Sequence, residues 1–189
     1  MRITVPYGRS SLTADCPDAI GVDVIEAPEV PGAAQPLDLA GAALDALLGP
    51  TGWSDWAGVH SVAIAINDKT RPVPHQHLLP PLLTRLAALG IPDRAITFYV
   101  AVGTHPPMTP DEFPGILPET ILRRYRVVSH DAENAAELTD LGPTARGTPV
   151  WANSGFVRSD LRIVVGNIEP HQFVGFSGGV KTAAIGLAG

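Results

Sequence analysis

The segment Glu169-Pro170-His171-Gln172-Phe173-Val174-Gly175-Phe176-Ser177-Gly178-Gly179-Val180-Lys181 puts a histidine, a small-residue loop and a lysine in one short stretch. Histidine is the side chain whose ordinary pKa lies closest to neutral, so His171 is a candidate acid or base. Ser177, Gly178 and Gly179 let successive backbone N–H groups converge on an anion, helped by the positive end of a following helix. Lys181 falls in the first turn of that predicted helix. A lysine beside other cationic groups presents more free amine and can serve as a nucleophile. As residues alone, a phosphate-binding lysine and a solvated helix residue stay open beside that reading. The loop is not a Walker A motif, because Val180 stands where a glycine must precede the lysine, and it is not the dinucleotide GxGxxG pattern either.

Two further clusters carry the same kinds of chemistry. Gly103-Thr104-His105 supplies a second histidine, and Asp68-Lys69-Thr70-Arg71-Pro72 supplies a carboxylate and a guanidinium around Thr70. Arg71 can fork onto a carboxylate or phosphate, and Asp68 can orient either Arg71 or a histidine. A structural ion pair capping a strand end is the competing reading of Asp68 and Arg71. Either histidine alone reads as a loop residue satisfied by a backbone carbonyl. Together, His105 and His171 read as an acid/base pair able to work on opposite faces of one carbon. His75 and His77 alternate in what reads as a solvated loop, without a third metal ligand nearby. His60 and His130 carry no distinct signal.

The elements that must hold these clusters follow from periodicity. Residues 59–66, 96–102 and 161–165 are nearly continuous apolar runs, the pattern of strands buried on both faces of a parallel sheet. Each cluster follows one of these runs, and ligands of open α/β sheets bind beyond the carboxyl ends of the strands. Helical spacing predicts helices over 37–48 and 78–89, closed by Gly49-Pro50 and Gly90, with shorter turns from Thr109 and over 118–125. Residues 126–129 read as a short strand. Residues 148–152 and 154–157 read as a hairpin, 3–5 and 10–14 as another, and 22–25 as an additional strand. The predicted fold class is α/β: a three-layer, Rossmann-like domain with a mostly parallel sheet, right-handed crossovers and a small N-terminal β element over 1–26 packed on it. The Pro/Ala/Gly-rich tract 27–36 reads as the linker between them.

Composition narrows the function classes. Of 189 residues, 45% are apolar and 17% charged, ordinary for a globular domain with a substantial core. A net charge of −6 argues against nucleic-acid binding, which needs a basic face. The single cysteine, Cys16, rules out an intrachain disulfide and a multi-cysteine zinc site. No leader-like segment opens the chain and no run reaches the ~20 apolar residues of a membrane span, so the expectation is a soluble cytoplasmic protein.

Taken together, Asp68-Lys69-Thr70-Arg71-Pro72, Gly103-Thr104-His105-Pro106-Pro107-Met108-Thr109 and Gly166 through Lys181 closely resemble the nickel-dependent lactate racemase family, whose members racemise or epimerise 2-hydroxy acids. The resemblance covers nearly the whole chain. It implies a nickel-pincer nucleotide, a pyridinium mononucleotide that holds nickel through a carbon and two sulfur atoms and can be joined to the matching lysine, Lys181, as a thioamide. It implies His105 and His171 as acid/base catalysts, Arg71 on the substrate carboxylate, and Asp68, Thr70, Ser177, Gly178 and Gly179 around the cofactor. The cofactor would take up and return the C2 hydride through a transient 2-keto acid.

Two departures from the family pattern stand out. The family has Pro-Gly after the lysine loop, where this chain has Ile185-Gly186. The family's nickel-ligating histidine and second domain lie downstream, whereas this sequence ends at Gly189, eight residues past Lys181. The expectation is an N-terminal catalytic and cofactor-binding domain over 1–189, inactive and without cofactor by itself, whose partners are its C-terminal domain and a small 2-hydroxy acid. The alternative from another class is a non-catalytic nucleotide- or phosphate-binding module with the same fold.

Overall fold

A computed structural model describes residues 1–26 and 28–189, in two compact units, Met1–Ala33 and Ala34–Gly189. The first unit is built on a hairpin of β1 (Arg2–Tyr7) and β2 (Ser10–Asp15). Their antiparallel register runs from Arg2 opposite Asp15 to Tyr7 opposite Ser10. An Arg2–Asp15 ion pair and a Thr4–Thr13 hydroxyl contact cross the strands. The strand expected at 22–25 does not form: these residues are irregular and Ile25 is 94% exposed. A four-residue strand needs a neighbour to satisfy its backbone groups, and none pairs with it among the described residues. The tract expected as a linker begins on Ala27, which lies outside the described residues; 28–35 carry neither helix nor strand.

The second unit runs α1 (Pro36–Asp45), β3 (Val62–Asn67), α2 (His75–Ala88), β4 (Ile96–Ala101), α3 (Glu119–Leu122), β5 (Arg126–Ser129), β6 (Leu138–Pro143), β7 (Pro149–Asn153), α4 (Ser154–Arg158), β8 (Leu161–Val165), β9 (Pro170–His171), β10 (Gly175–Phe176) and α5 (Val180–Ala184). Four of these strands form a parallel sheet in the order β5-β4-β3-β8. Every residue of β3 is buried, because helices cover both faces of the sheet. Val62, Ile64 and Ile66 join the larger core with Phe98, Leu79, Leu86 and Ile121, so α1, α2, α3 and a 3-10 turn at Pro110–Gly115 form one layer. Ala63 and Ala65 face the other way, with Tyr99, Phe156 and Leu187, and their small side chains let α4 and α5 close the third layer. The three-layer α/β architecture read from the apolar runs is the one observed.

Two local expectations are corrected. The helix expected at 78 begins at His75, so His75 and His77 lie on α2 rather than in a loop, and His75 is 1% exposed. Pro80 and Pro81 deprive the Gln76 and His77 carbonyls of their usual donors, which hides this first turn from pattern reading. Burial of Leu79, Leu82, Leu83 and Leu86 outweighs the loss. The hairpin expected between 148–152 and 154–157 is instead β6 with β7, antiparallel with a bulge between Asp140 and Pro143. Residues after β7 turn into α4 because the Asn153 side chain accepts a hydrogen bond from the Phe156 N–H and caps it.

Candidate active site

Parallel strands put the ends of β3, β4 and β8 on one edge of the sheet, and the three polar clusters meet there. Past β3 the chain turns on Asp68, whose Oδ1 accepts from the Thr70 N–H at 3.0 Å and the Thr70 hydroxyl at 2.7 Å. Its Oδ2 lies 2.6 Å from His105 Nδ1. Of the two roles open to Asp68, the structure takes the histidine: Arg71 donates to the Thr70 carbonyl at 3.0 Å and pairs with no carboxylate among the described residues. Burial pushes the Asp68 carboxyl up, but the hydrogen bonds from His105 and Thr70, with the His105 charge, outweigh it and hold the group below its ordinary range. Because a carboxylate only accepts, His105 carries its proton on Nδ1 and, when neutral, offers an Nε2 lone pair.

His171 sits on β9 in the opposite arrangement. Its Nδ1 lies 3.2 Å from the Phe173 N–H, which only donates, so the neutral ring carries its proton on Nε2. The loop beyond is closed by Ser177, whose hydroxyl donates to the Asn167 carbonyl at 2.8 Å and accepts from the Glu169 N–H at 3.1 Å. Gly178 and Gly179 both adopt left-handed φ, +76° and +49°. A Cβ on Gly178 would lie 2.6 Å from the Asn167 carbonyl oxygen, so only glycine fits this close approach. The N–H groups of Gly178 and Gly179 have no acceptor among the described residues. α5 has only five residues, so the dipole expected from it is small.

Close packing holds α5 against the strand ends. Thr182 Oγ1 lies 3.3 Å from Asn67 Oδ1 in a buried contact, and the Gly103 N–H donates to the Gly186 carbonyl at 2.9 Å. A Cβ on Gly186 would run into the Thr182 carbonyl oxygen and meet Ala101 Cβ at 2.7 Å, so the glycine of Ile185-Gly186 is demanded by contact with β4 and α5.

A cavity of about 250 Å³ collects the result: Asp68, Arg71, His105, His171, Ser177, Gly178 and Lys181 all border it. Thr70 acts beneath it through Asp68, and Gly179 lies at the start of α5, outside its lining. Lys181 makes no ion pair among the described residues, and no three His, Cys, Asp or Glu side chains there converge as a metal-binding group.

Sequence reasoning passed over Asn67, Thr182 and His130. His130 is fully buried; its Nε2 donates to the Ala188 carbonyl at 2.9 Å and its Nδ1 lies 3.3 Å from Asn153 Nδ2. This ties the segment after α5 to the end of β5. The only hint was its place just past a predicted strand, matching that of His105.

Fold and site define a three-layer α/β protein whose polar cleft opens at the carboxyl edge of a parallel sheet. Residues 7–189 match the family described as lactate racemase N-terminal domain, and the chain belongs to that family. It is 32% identical to the lactate racemase of Lactiplantibacillus plantarum and 31% to that of Thermoanaerobacterium thermosaccharolyticum, over 98% of this chain in each case. The chain spans 44% of the length of these curated relatives. The solved lactate racemase apoprotein from Thermoanaerobacterium thermosaccharolyticum superposes with a TM-score of 0.83 at 30% identity, over the whole of this chain and 44% of that one. A Thermotoga maritima protein shares the fold alone, with a TM-score of 0.63 at 24% identity over 82% of this chain and 39% of that one. Among the described residues no helix is long and apolar enough to cross a membrane.

Proposed function

We propose that this chain forms the catalytic and cofactor-binding N-terminal domain of a 2-hydroxy acid racemase or epimerase, acting on a small substrate such as lactate. The observation that carries the reading is the pair of histidines bordering one cavity in opposite tautomers, with Arg71 and Lys181 beside them. Arg71 holds the substrate carboxylate with the part of its guanidinium not used on Thr70. His105 Nε2, kept as a lone pair by Asp68, accepts the proton of the substrate hydroxyl. His171, as the acid partner, donates an Nε2–H hydrogen bond to the oxygen from the other side, and the proton held by His105 is the one returned when the alcohol forms again.

The residues fit a nickel-pincer nucleotide. Lys181 brings a side-chain nitrogen without an ion-pair partner among the described residues to the cavity, where as the free amine it can be covalently attached; the Gly178 and Gly179 N–H groups have no acceptor among those residues, and Ser177, Asp68 and Thr70 brace the surrounding loops. When bound, that group supplies a temporary hydride acceptor for C2. A nickel-binding histidine and the rest of the cleft belong in this reading to a C-terminal domain, so residues 1–189 alone are inactive. The reading includes a cytoplasmic location, in keeping with a lone thiol.

Intact mass and nickel content of the full-length protein, made alongside the cofactor-synthesis enzymes, test this reading. Bound nickel with added mass on the peptide carrying Lys181 is expected. Absence of both nickel and added mass overturns it in favour of a phosphate- or nucleotide-binding module.

A further inference from the structure

Asn67 is the last residue of β3 and stands on the same face of the sheet as Ala63 and Ala65, the face that α4 and α5 cover. It is 8% exposed and borders the Lys181 cavity. The two ends of its amide are used differently. The Thr182 hydroxyl donates to Asn67 Oδ1 at 3.3 Å. This oxygen end is packed in, because a Cβ on Gly166 would lie 3.2 Å from Oδ1 and 3.0 Å from Thr182 Oγ1. The nitrogen end, Nδ2, donates to no acceptor among the described residues. Nor is it sealed off. Among those residues the unpartnered side-chain atoms shut away from solvent are His77 Nδ1 and His75 Nε2, the latter on a ring whose Nδ1 lies 2.8 Å from the Ile116 carbonyl oxygen. Asn67 Nδ2 is therefore open, and with its oxygen turned to Thr182 and Gly166 it opens on the cavity. Such a nearly buried donor costs free energy until something in the cavity accepts from it.

The groups beside this open end set what it can bind. Gly178 borders the same cavity with an N–H that has no acceptor among the described residues. Lys181, next to Thr182 on α5, brings a side-chain nitrogen with no ion-pair partner among them. The neighbouring carboxylate, Asp68, has one oxygen on Thr70 and the other on His105. This side of the cavity offers donors and no uncommitted carboxylate. An oxyanion satisfies several donors at once, through lone pairs on each oxygen. A carboxylate and a phosphate share this chemistry.

We propose that Asn67 is a ligand-binding residue of the Lys181 cavity: Nδ2 donates to an oxyanion of the ligand while Oδ1 stays on Thr182. This role rests on the cavity being the ligand site, as in the function proposed above. Because the same amide holds α5 through Thr182, a ligand that engages Nδ2 is fixed against the helix that carries Lys181.

The test is ¹H–¹⁵N NMR of side-chain and backbone amides in the chain, titrated at constant ionic strength with inorganic phosphate, sodium lactate and sodium chloride. An Asn67 Nδ2 proton is expected to move downfield and saturate with phosphate or lactate, together with the Gly178 N–H, and to stay in place with chloride. Whichever oxyanion saturates at the lower concentration identifies the source. Two uncharged substitutions separate binding from packing. Asn67→Ala and Thr182→Val both remove the contact between these residues, but only the first removes the donor. Followed at the Gly178 N–H, Asn67→Ala is expected to weaken binding at least about tenfold, and Thr182→Val to stay within about threefold of the parent. The role is overturned by no saturable shift at Asn67 with either oxyanion, by an equal shift with chloride, or by equal losses of binding in the two variants. Should a variant fail to fold, the titration of the parent chain decides. An oxyanion that moves Gly178 but not Asn67 would remove this role alone. Missing nickel in the full-length protein would remove the racemase reading and leave the Asn67 shift intact.

Discussion

The two histidines of the cleft are held in different ways. His105 rests on Asp68, which is 4% exposed and itself fixed by two bonds from Thr70 at the end of a fully buried strand. His171 rests on a loop that braces itself: the support comes from the Phe173 N–H two residues on, while the Phe173 and Phe176 side chains are 85% and 65% exposed. One side of the cleft is part of the core; the other is a short hairpin of β9 and β10 closed by Ser177. The contrast teaches that the lone-pair side is pre-organised by the sheet, while the proton-bearing side is set by a few local bonds.

The largest expected effect compares the histidines directly. In the loaded full-length protein, His105→Ala and His171→Ala should each lower the racemisation rate by about 10²–10⁴-fold, the usual worth of a positioned acid or base, measured by chiral separation of lactate. A loss confined to His105 would break the two-histidine reading. Next come substitutions of the supports. Gly178→Ala forces a Cβ against the Asn167 carbonyl at a left-handed φ and should cost about 1–3 kcal/mol in urea unfolding. Ser177→Ala removes the two bonds that close the hairpin and should cost about 1 kcal/mol. Phe173→Ala should stay within about 0.5 kcal/mol of the parent, because its side chain lies outside the core. A larger cost there would mean that the loop is packed more like the His105 side.

The pH dependence separates the core side further. The Asp68 carboxyl titrates below its ordinary 3.8, so the stability it contributes is complete above that value and is lost as pH falls through the lower folded one. Asp68→Asn should flatten this acid limb in urea midpoints taken from pH 6 down to 2.5. His75 titrates below its ordinary 6.5. As pH drops below 6.5 the unfolded chain binds a proton that the folded chain refuses, so stability should decline from there towards the folded value. His75→Gln should remove that decline and leave the acid limb of Asp68 in place.

Much of this was legible in the chain itself. The three apolar runs were visible as buried strands because helices cover both sheet faces, which removes the alternation a half-exposed strand would show. Their order alone places Asp68, His105 and His171 at one edge of a parallel sheet. α4 and the start of α2 were not legible. The first depends on an Asn153 cap that competes with strand pairing, and the second on burial that overrides two prolines. His130 was invisible because its importance lies in a carbonyl 58 residues away.

By itself, then, the sequence determined which residues could do chemistry, since residue type and position after a strand are local properties. Only the tertiary structure decided which partner each one has: Asp68 with His105 rather than Arg71, His171 with its own loop, and His75 buried with a free lone pair. The physical reason is that a tautomer or an unpaired acceptor is set by which donor or acceptor lies within about 3 Å: for His105 and His75 that neighbour comes from a distant part of the chain, and for His171 from the fold of its own loop.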